Sequence, residues 1–571
     1  MQTQNPTDPH WYSNVEAPYE VSDAAALKWD MECDVVIVGF GGAGVAAGLQ
    51  AVELGLSAIA LDRFHGGGAT EASGGVLYAG GGTVIQKDAN VEDSTEEMFR
   101  YLRLEVGDIV SEDNLRHFCE QSPETVDWLI GHGAKFKGVH YPKKTSYPGV
   151  EYFLYHSDNS LIAPYKDEAK PAARGHRTFV SPEEGIRATS LGGPIYRPLR
   201  QSFLDRGGSV REQSEARQLV VDKAGEILGV KTLEFPAGAP EAEQHKNLLA
   251  KASAIQAKWL PIIPGSAFFL KRAERMIAKA RALENNFRVE RFYRAHKGVV
   301  LAAGGFVFNR SMLKHYAPKF ADTFPLGTTA DQGDGIRLGQ TVGGAVGNMD
   351  RASAWRFINP PIAWSQGIVV NEAGERFINE SSYGAAIGTS IALDQNGRAW
   401  SILDQTLVRE SLSQIKGGKV LPFQRDLARL NFWFAAKKAS TVEALASKIG
   451  VNASGLAKTV ERYNSGQNAA QSDAFAKSND DIRQLTTPPF YGIDIGLSAK
   501  LFPCPTITLG GLRVEENTGA VLNDAGRPIG GLYAAGRTAI GICSWNYLSG
   551  LSIADCIYSG RRAARSIASG P

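Results

Sequence analysis

The feature that most constrains the fold of this chain is residues 34–62, which read DVVIVGFGGAGVAAGLQAVELGLSAIALD. The apolar run at 35–38 predicts a strand buried on both faces. Gly39-x-Gly41-x-x-Gly44 then predicts a tight turn into an Ala/Leu-rich helix that ends near Gly55, and a second apolar run at 58–61 closes on Asp62, eighteen residues after Gly44. A dinucleotide site needs these parts in this order. Glycines let backbone approach a pyrophosphate, the free N–H groups of a helix start receive its charge, and the acidic residue takes ribose hydroxyls. With 62 glycines in the chain the triplet alone would say little; its setting between two apolar strands, with Asp62 at the end of the second, gives it weight. Gly39, Gly41, Gly42, Ala43, Gly44, Asp62 and Arg63 are the expected contacts.

At 571 residues the chain exceeds one ordinary core, so two or more domains are expected, at about 150 residues per domain. The formal net charge of +1 argues against a polyanionic partner, so no nucleic acid is expected. Five scattered cysteines with no CxxC fit a reducing compartment, and no metal site is expected. The first residues carry no basic head followed by an apolar core, and nowhere do about 18 uncharged apolar residues run together. The expectation is a cytoplasmic protein, if membrane-bound then peripherally.

After Asp62, His65 to Thr83 reads HGGGATEASGGVLYAGGGT, small residues that let backbone lie against a flat ligand while Thr70 and Ser73 offer hydroxyls. Together with the fingerprint, this stretch resembles the flavoprotein subunits of the fumarate reductase and succinate dehydrogenase superfamily. The resemblance implies an α/β fold: a discontinuous Rossmann-like FAD-binding domain (1–349 and 490–571) with an inserted α+β substrate-covering domain (350–489). It assigns FAD contacts to Gly68, Ala69, Thr70, Ser73, Gly74 and Gly75, to Ala303 and Gly304 in KGVVLAAGGF, to Asp334 in DQGDG, and to Gly536, Arg537, Ser549, Leu551 and Ser552 in the closing stretch after GLYAAG. Covalent members carry a His immediately before the Thr. Here that place is Gly68 or Ala69, with His65 out of register, so non-covalent FAD is expected.

Between these motifs, residues 92–133 predict helices and 140–190, rich in Tyr, Pro, Gly and His, predict loops in which Tyr147, Tyr155, His156 and His176 are structural or line a rim. Residues 216–235 predict a hairpin whose partner strand waits until 287–296, with 297–306 following it. The intervening insertion, 236–286, is not required by a cofactor. Its helix places Phe269, Ala273, Met276, Ala280 and Leu283 on one face, and from Lys251 to Lys297 there are 11 Lys/Arg against 3 Glu. Such a segment (254–283) suits an interfacial membrane contact, and equally a basic helix packed on the core or on another subunit. Within the cap, 441–450 and 455–464 predict amphipathic helices with Leu445, Ile449, Leu456, Val460 and Tyr463 inward.

The residues facing the flavin decide the substrate. In fumarate and succinate enzymes a His before Leu-Gly-Gly and an Arg in the closing run hold two carboxylates, and a cap Arg follows Asn-Glu. Here Thr508, Tyr547 and the run Ser-Ser-Tyr383 stand in those places. Tyrosine hydroxyls suit a neutral ketone, because hydrogen bonds to its oxygen favour the enolate and acidify the adjacent carbon. In this the chain resembles the 3-ketosteroid dehydrogenases, and Tyr547-x-Ser549-Gly550 with the Gly-Arg-Arg ending is more similar to the Δ4-(5α) branch than to the Δ1 branch. The resemblance implies oxidation of a 3-oxo-5α-steroid at C4–C5, with Tyr547 and Ser549 handling the proton and activating the ketone, Tyr383 across the ring, hydride passing to flavin N5, and an external electron acceptor such as a quinone. A Δ1-dehydrogenase and a fumarate-reductase-like enoate reductase remain the alternatives.

Overall fold

The computed structural model describes residues 13–181, 183–184, 190–259, 265–416, 420–466 and 473–570. Its largest sheet has nine strands among the described residues. The order runs Tyr19–Glu20, Ser214–Val221, Ile227–Glu234, Val289–Leu301, Met31–Val38, Ala58–Leu61, Ser209–Arg211, with Pro528–Ala534 and Ala520–Leu522 branching from Val289–Leu301. The fingerprint strand is central and parallel to both neighbours, Val35–Val38 pairing with Ala58–Leu61 on one side and with Gly298–Leu301 on the other. Val35, Val36 and Ile37 are fully buried, which is why the run is apolar without alternation.

Helix Gly42–Glu53 lies over this strand and packs along the closing helix Leu551–Ser569, which lies over Val289–Leu301 and Pro528–Ala534. The helices touch at small residues: a Cβ on Gly560 would lie 2.4 Å from the Ala43 carbonyl oxygen. The approach keeps both helix starts, Gly41 and Gly550, beside the carboxyl ends of the strands, where open α/β sheets bind ligands.

Two expectations need correcting. The separate pieces at 287–296 and 297–306 form one 13-residue strand, Val289–Leu301, antiparallel to the hairpin over its first half and parallel to the fingerprint strand over its second, with a register shift between Ala295 and Gly298. Residues 140–190 are not all loop. Strands His140–Lys144, Leu154–His156 and Gly175–Arg177 join Val76–Tyr78 in a four-stranded sheet, made of pieces of three to five residues too short to show a period.

The cap carries a second four-stranded sheet, Ile368–Val370, Trp400–Leu403, Phe490–Asp494 and Lys437–Ala439. Its third strand, Phe490–Asp494, starts just past residue 489 and pairs with both Trp400–Leu403 and Lys437–Ala439. The helices Val442–Ile449 and Ala453–Gly466 bury Leu445, Leu456, Val460 and Tyr463, with Ile449 packed against the same core.

The insertion is a helical hairpin, Pro240–Lys258 and Ser266–Phe287. Ala273 and Ala280 are buried and Phe269, Met276 and Leu283 half-buried, the face read from the sequence, while Lys271, Arg272, Arg275, Lys279 and Arg281 are exposed. Trp259 stacks on Phe269 with centroids 4.0 Å apart, and Phe268 beside it is 71% exposed. Residues 260–264, which follow Trp259, lie outside the described residues.

Candidate active site

A cavity of about 860 Å³ runs from the end of the fingerprint strand to the cap. Its cofactor end is built at the strand ends. Gly39 has φ +93°, and a Cβ there would lie 2.6 Å from Ala303 Cα, so only glycine lets the two strand ends converge. Gly41, Gly42, Ala43, Gly68, Ala69, Thr70, Ser73, Gly74, Ala303 and Gly304 line the wall. The Asp62 carboxylate also lines it and accepts from the N–H groups of Phe40 (2.9 Å), Phe64 (2.8 Å) and Gly66 (3.0 Å).

Two groups of charge flank this end. Arg63 holds Glu215, Asp334 and Glu284 at 3.3, 3.6 and 3.8 Å, the last reaching in from the insertion. Burial raises the Asp334 carboxyl, with Arg63 and Ser13 opposing the rise. Arg537 donates to Asp331 (2.7 Å). The wall fits FAD by its own chemistry: a Cβ on Gly41 would meet nothing nearer than 3.8 Å, leaving backbone open to a phosphate, and Ser214 Oγ and Arg537 Nη1, buried in lining residues, have no partner among the described residues.

The cap end has a different character. Trp355, Phe357, Leu421, Pro422, Phe423, Pro505 and Ile507 form most of the wall, and Tyr147, Tyr383, Tyr547 and Ser549 supply hydroxyls. Tyr383 comes from the start of helix Gly384–Asp394, behind an anchor in which buried Glu380 takes two bonds from Arg376 (both 2.8 Å) and pairs with Lys477 (3.1 Å). Tyr547 packs on Trp355, with centroids 4.7 Å apart. Gly550, at φ +90°, turns the chain from Ser549 into the closing helix, and a Cβ there would strike Tyr78 N at 2.6 Å.

A family model described as an FAD binding domain matches residues 34–553. Over 525 residues the chain is 34% identical to a 3-oxo-5-alpha-steroid 4-dehydrogenase of Comamonas testosteroni, covering 90% of this chain and 94% of the relative. It is 28% identical over 568 residues to a 3-oxosteroid 1-dehydrogenase of Mycobacterium tuberculosis, covering 90% and 94%. The crystal structure of a 3-ketosteroid-delta4-(5alpha)-dehydrogenase of Rhodococcus jostii RHA1, in complex with 4-androstene-3,17-dione, superposes with a TM-score of 0.78 at 28% identity, covering 97% of this chain and 99% of that one. The chain belongs to the FAD-binding 3-ketosteroid dehydrogenase family.

FAD is the cofactor of this dehydrogenase family member, and the mixed α/β architecture is that of its flavoprotein relatives. Of the residues read from the sequence as cofactor contacts, Gly44, Gly75, Gly536 and Leu551 do not line the cavity. They shape it from behind: a Cβ on Gly44 would strike Gly39 O at 2.0 Å, and one on Gly536 would lie 2.9 Å from Ala43 Cβ. Ser552 lines the wall at the helix start. His65 pairs with Glu212 (3.2 Å) and is not part of the wall. Thr508, which stands before Leu-Gly-Gly, is buried and accepts from Phe306 N–H (3.0 Å). Among the described residues no group of three or more His, Cys, Asp or Glu is placed to hold a metal.

The structure brings two further tyrosines to Ser549 and the cavity wall. Tyr155, fully buried on the small sheet, has its hydroxyl 3.4 Å from Ser549 Oγ, and Tyr147 lines the cavity and donates to Gly74 O. No period or motif marked either of them. Behind Tyr147 stands buried Arg177, its guanidinium 4.8 Å from the ring centroid. Burial pushes the hydroxyls of Tyr147, Tyr155, Tyr383 and Tyr547 above the usual phenol range. Opposing pulls come from Arg177 on Tyr147, from the Ser549 hydroxyl on Tyr155 and Tyr383, and from the Gly550 N–H on Tyr547.

Proposed function

We propose that the chain is an FAD-dependent 3-oxo-5α-steroid 4-dehydrogenase, introducing the C4–C5 double bond into a saturated 3-ketosteroid. The observation that carries this reading is the polarity of the cap end, where hydroxyls are set among aromatic and aliphatic side chains. The cavity's two arginines among the described residues, Arg63 and Arg537, both flank the cofactor end, each beside a carboxylate, so the cap end sets hydroxyls rather than guanidinium groups against the substrate. An apolar ketone buries its rings against Trp355, Phe357 and Ile507 and offers one oxygen to the hydroxyls.

When bound, FAD supplies the acceptor for the hydride. The chain supplies the rest. A hydroxyl donated to the ketone oxygen stabilises charge gathering there as the adjacent C–H is broken, and in this water-poor setting such a donor is worth about 100–1000-fold in kcat. Tyr547 and Ser549 are the pair we assign to the C4 proton. Burial holds the Tyr547 hydroxyl above the usual phenol range, and the Gly550 N–H and Arg537 oppose that rise. Ser549, within reach of Tyr155, serves as relay, and Tyr383 stands across the ring.

The deciding experiment is product analysis. Oxidation of 5α-androstane-3,17-dione with an artificial acceptor is expected to give the 4-ene by mass spectrometry and NMR; a 1-ene would move the protein to the Δ1 branch, and reduction of fumarate by a reduced dye would restore the dicarboxylate reading.

Electrons then pass to an external acceptor, for which a quinone or another carrier is proposed. No helix among the described residues is long and apolar enough to cross a membrane. Peripheral contact through the insertion is proposed from exposed Phe268, the Trp259–Phe269 stack and the exposed cations of the same helix. Phe268→Asp is expected to reduce co-sedimentation with anionic vesicles while flavin stays bound, and unchanged sedimentation would remove the proposal.

A further inference from the structure

Immediately after strand Leu154–His156 come Ser157, Asp158, Asn159 and Ser160, four polar residues of which none is more than 1% exposed. Such a run is costly to bury unless its groups are bonded. The bonds it makes reach two elements far apart in the chain. Toward the closing segment, Ser157 Oγ donates to Ser549 O (3.1 Å), and Tyr78, whose hydroxyl donates to Asp158 (2.8 Å), gives its N–H to Gly550 O (3.1 Å). Toward the cap, Asn159 Oδ1 accepts from Tyr383 N–H (2.6 Å) and Lys144 Nζ (3.4 Å), and Lys144 also donates to Ser381 O.

Asn159 is itself fixed from behind. Its Nδ2 donates to Glu105 (2.7 Å), which also accepts from Tyr101 OH (2.9 Å), and Tyr101 OH accepts from Asn159 N–H (2.9 Å). A side chain so held has no rotameric freedom to give, so the Tyr383 main chain is tied to the same segment that grips Ser549.

We propose that Asn159, with Ser157, is a positioning element that sets the cap tyrosine Tyr383 against the closing-segment serine Ser549 at the substrate end of the cavity. This inference rests on the steroid reading for the roles of Tyr383 and Ser549, and on nothing else in it. Neither Asn159 nor Ser157 lines the cavity, so their effect passes through the two residues they hold.

Charge behind Asn159 makes the clamp sensitive to pH. Burial pushes the Glu105 carboxyl up to about 7 and pulls the Lys144 ammonium down to about 7. Glu105 faces Tyr101 on its own helix, Tyr165, Asp158 and Lys144; Lys144 faces Asp158, Glu105, Asp481 and His156; His156, Arg174, paired with Asp93, and Tyr78 lie beside Asp158. Glu105→Gln keeps the acceptor for Asn159 and removes the carboxyl's own titration, leaving that of Lys144.

The test uses the FAD-loaded full chain. Asn159→Ala is expected to lower kcat per bound flavin by about 10–100-fold with KM near wild type, the cost of a displacement of about 1 Å. Ser157→Ala, which deletes a single bond, is expected to cost less and stands in should Asn159→Ala fail to fold. Glu105→Gln is expected to displace the limb of the kcat–pH profile near neutrality, which a merely structural residue would not move. Hydrogen exchange gives a readout that does not need the steroid. In Asn159→Ala the Tyr383 amide is expected to lose protection, and in Ser157→Ala the peptide around Ser549. Should wild type fail to oxidise a 5α-3-ketosteroid, the steroid reading falls and exchange alone decides. Wild-type protection of the Tyr383 amide in Asn159→Ala, or wild-type kcat per flavin in an active enzyme, overturns the positioning role.

Discussion

Replacing Tyr547 by Phe isolates one oxygen atom. The ring packs on Trp355 at 4.7 Å and 53°, and phenylalanine keeps that packing. In the resting protein the variant loses one neutral hydrogen bond, with the Gly550 N–H, a cost of about 1 kcal/mol, so the fold and the bound flavin are expected to survive. In the reaction the loss is larger. A side chain positioned for proton transfer contributes about 100–10,000-fold, so kcat is expected to fall by at least about 100-fold, with KM changing much less. The assay is anaerobic rapid mixing with 5α-androstane-3,17-dione, following flavin bleaching per bound flavin, with a melting curve on the same sample. Bleaching within about three-fold of wild type, a difference of under about 1 kcal/mol in barrier, would refute the assignment of Tyr547 and with it the polarity of the cap end as a guide to substrate.

Gly39→Ala is expected to yield protein without flavin, since its Cβ would meet Ala303 Cα at 2.6 Å at a backbone angle that alanine adopts poorly; flavin absorbance after gel filtration reports it. Arg537→Met leaves the buried Asp331 carboxylate without its ion pair at 2.7 Å and should weaken FAD by at least about ten-fold, as read by titration of the apoprotein. Asp555 provides a test by pH. Burial, opposed by Arg562 and by bonds from Ile542 and Cys543 N–H groups, pushes its carboxyl from 3.8 up to about 6. Between those values the folded state binds the extra proton, so this group's contribution is full at low pH and is lost as pH rises through the window. Asp555→Asn should therefore show a shallower fall in Tm than wild type from about pH 4 to about pH 6, and parallel curves would contradict the buried, titrating carboxyl.

Much of this protein was legible as local pattern. The fingerprint could be read because its strand, turn and helix signals lie within 29 consecutive residues, and each is a short-range consequence of glycine freedom and apolar period. The same holds for the face of the insertion helix, where Phe269, Ala273, Met276, Ala280 and Leu283 repeat at helical spacing and turn inward together. The substitution of hydroxyls for cations at Tyr383, Thr508 and Tyr547 was also open to reading, because it is a matter of residue identity at motif positions.

What depended on tertiary structure was every relation between segments that share no period. Nothing in the sequence marks Tyr155, or Ser157, Asp158 and Asn159 that follow it, as part of the site. They reach it because a sheet of three- to five-residue strands pairs His140–Lys144, Leu154–His156, Gly175–Arg177 and Val76–Tyr78. The ionisation of the site likewise belongs to the fold. Identity alone gives Tyr547 an ordinary phenol, and only burial against Trp355, Cys543 and the start of the closing helix decides how tightly it holds its proton. Composition and period are properties of neighbours along the chain, whereas burial, pairing and pKa are properties of neighbours in space, and for residues 140–190 the two sets barely overlap.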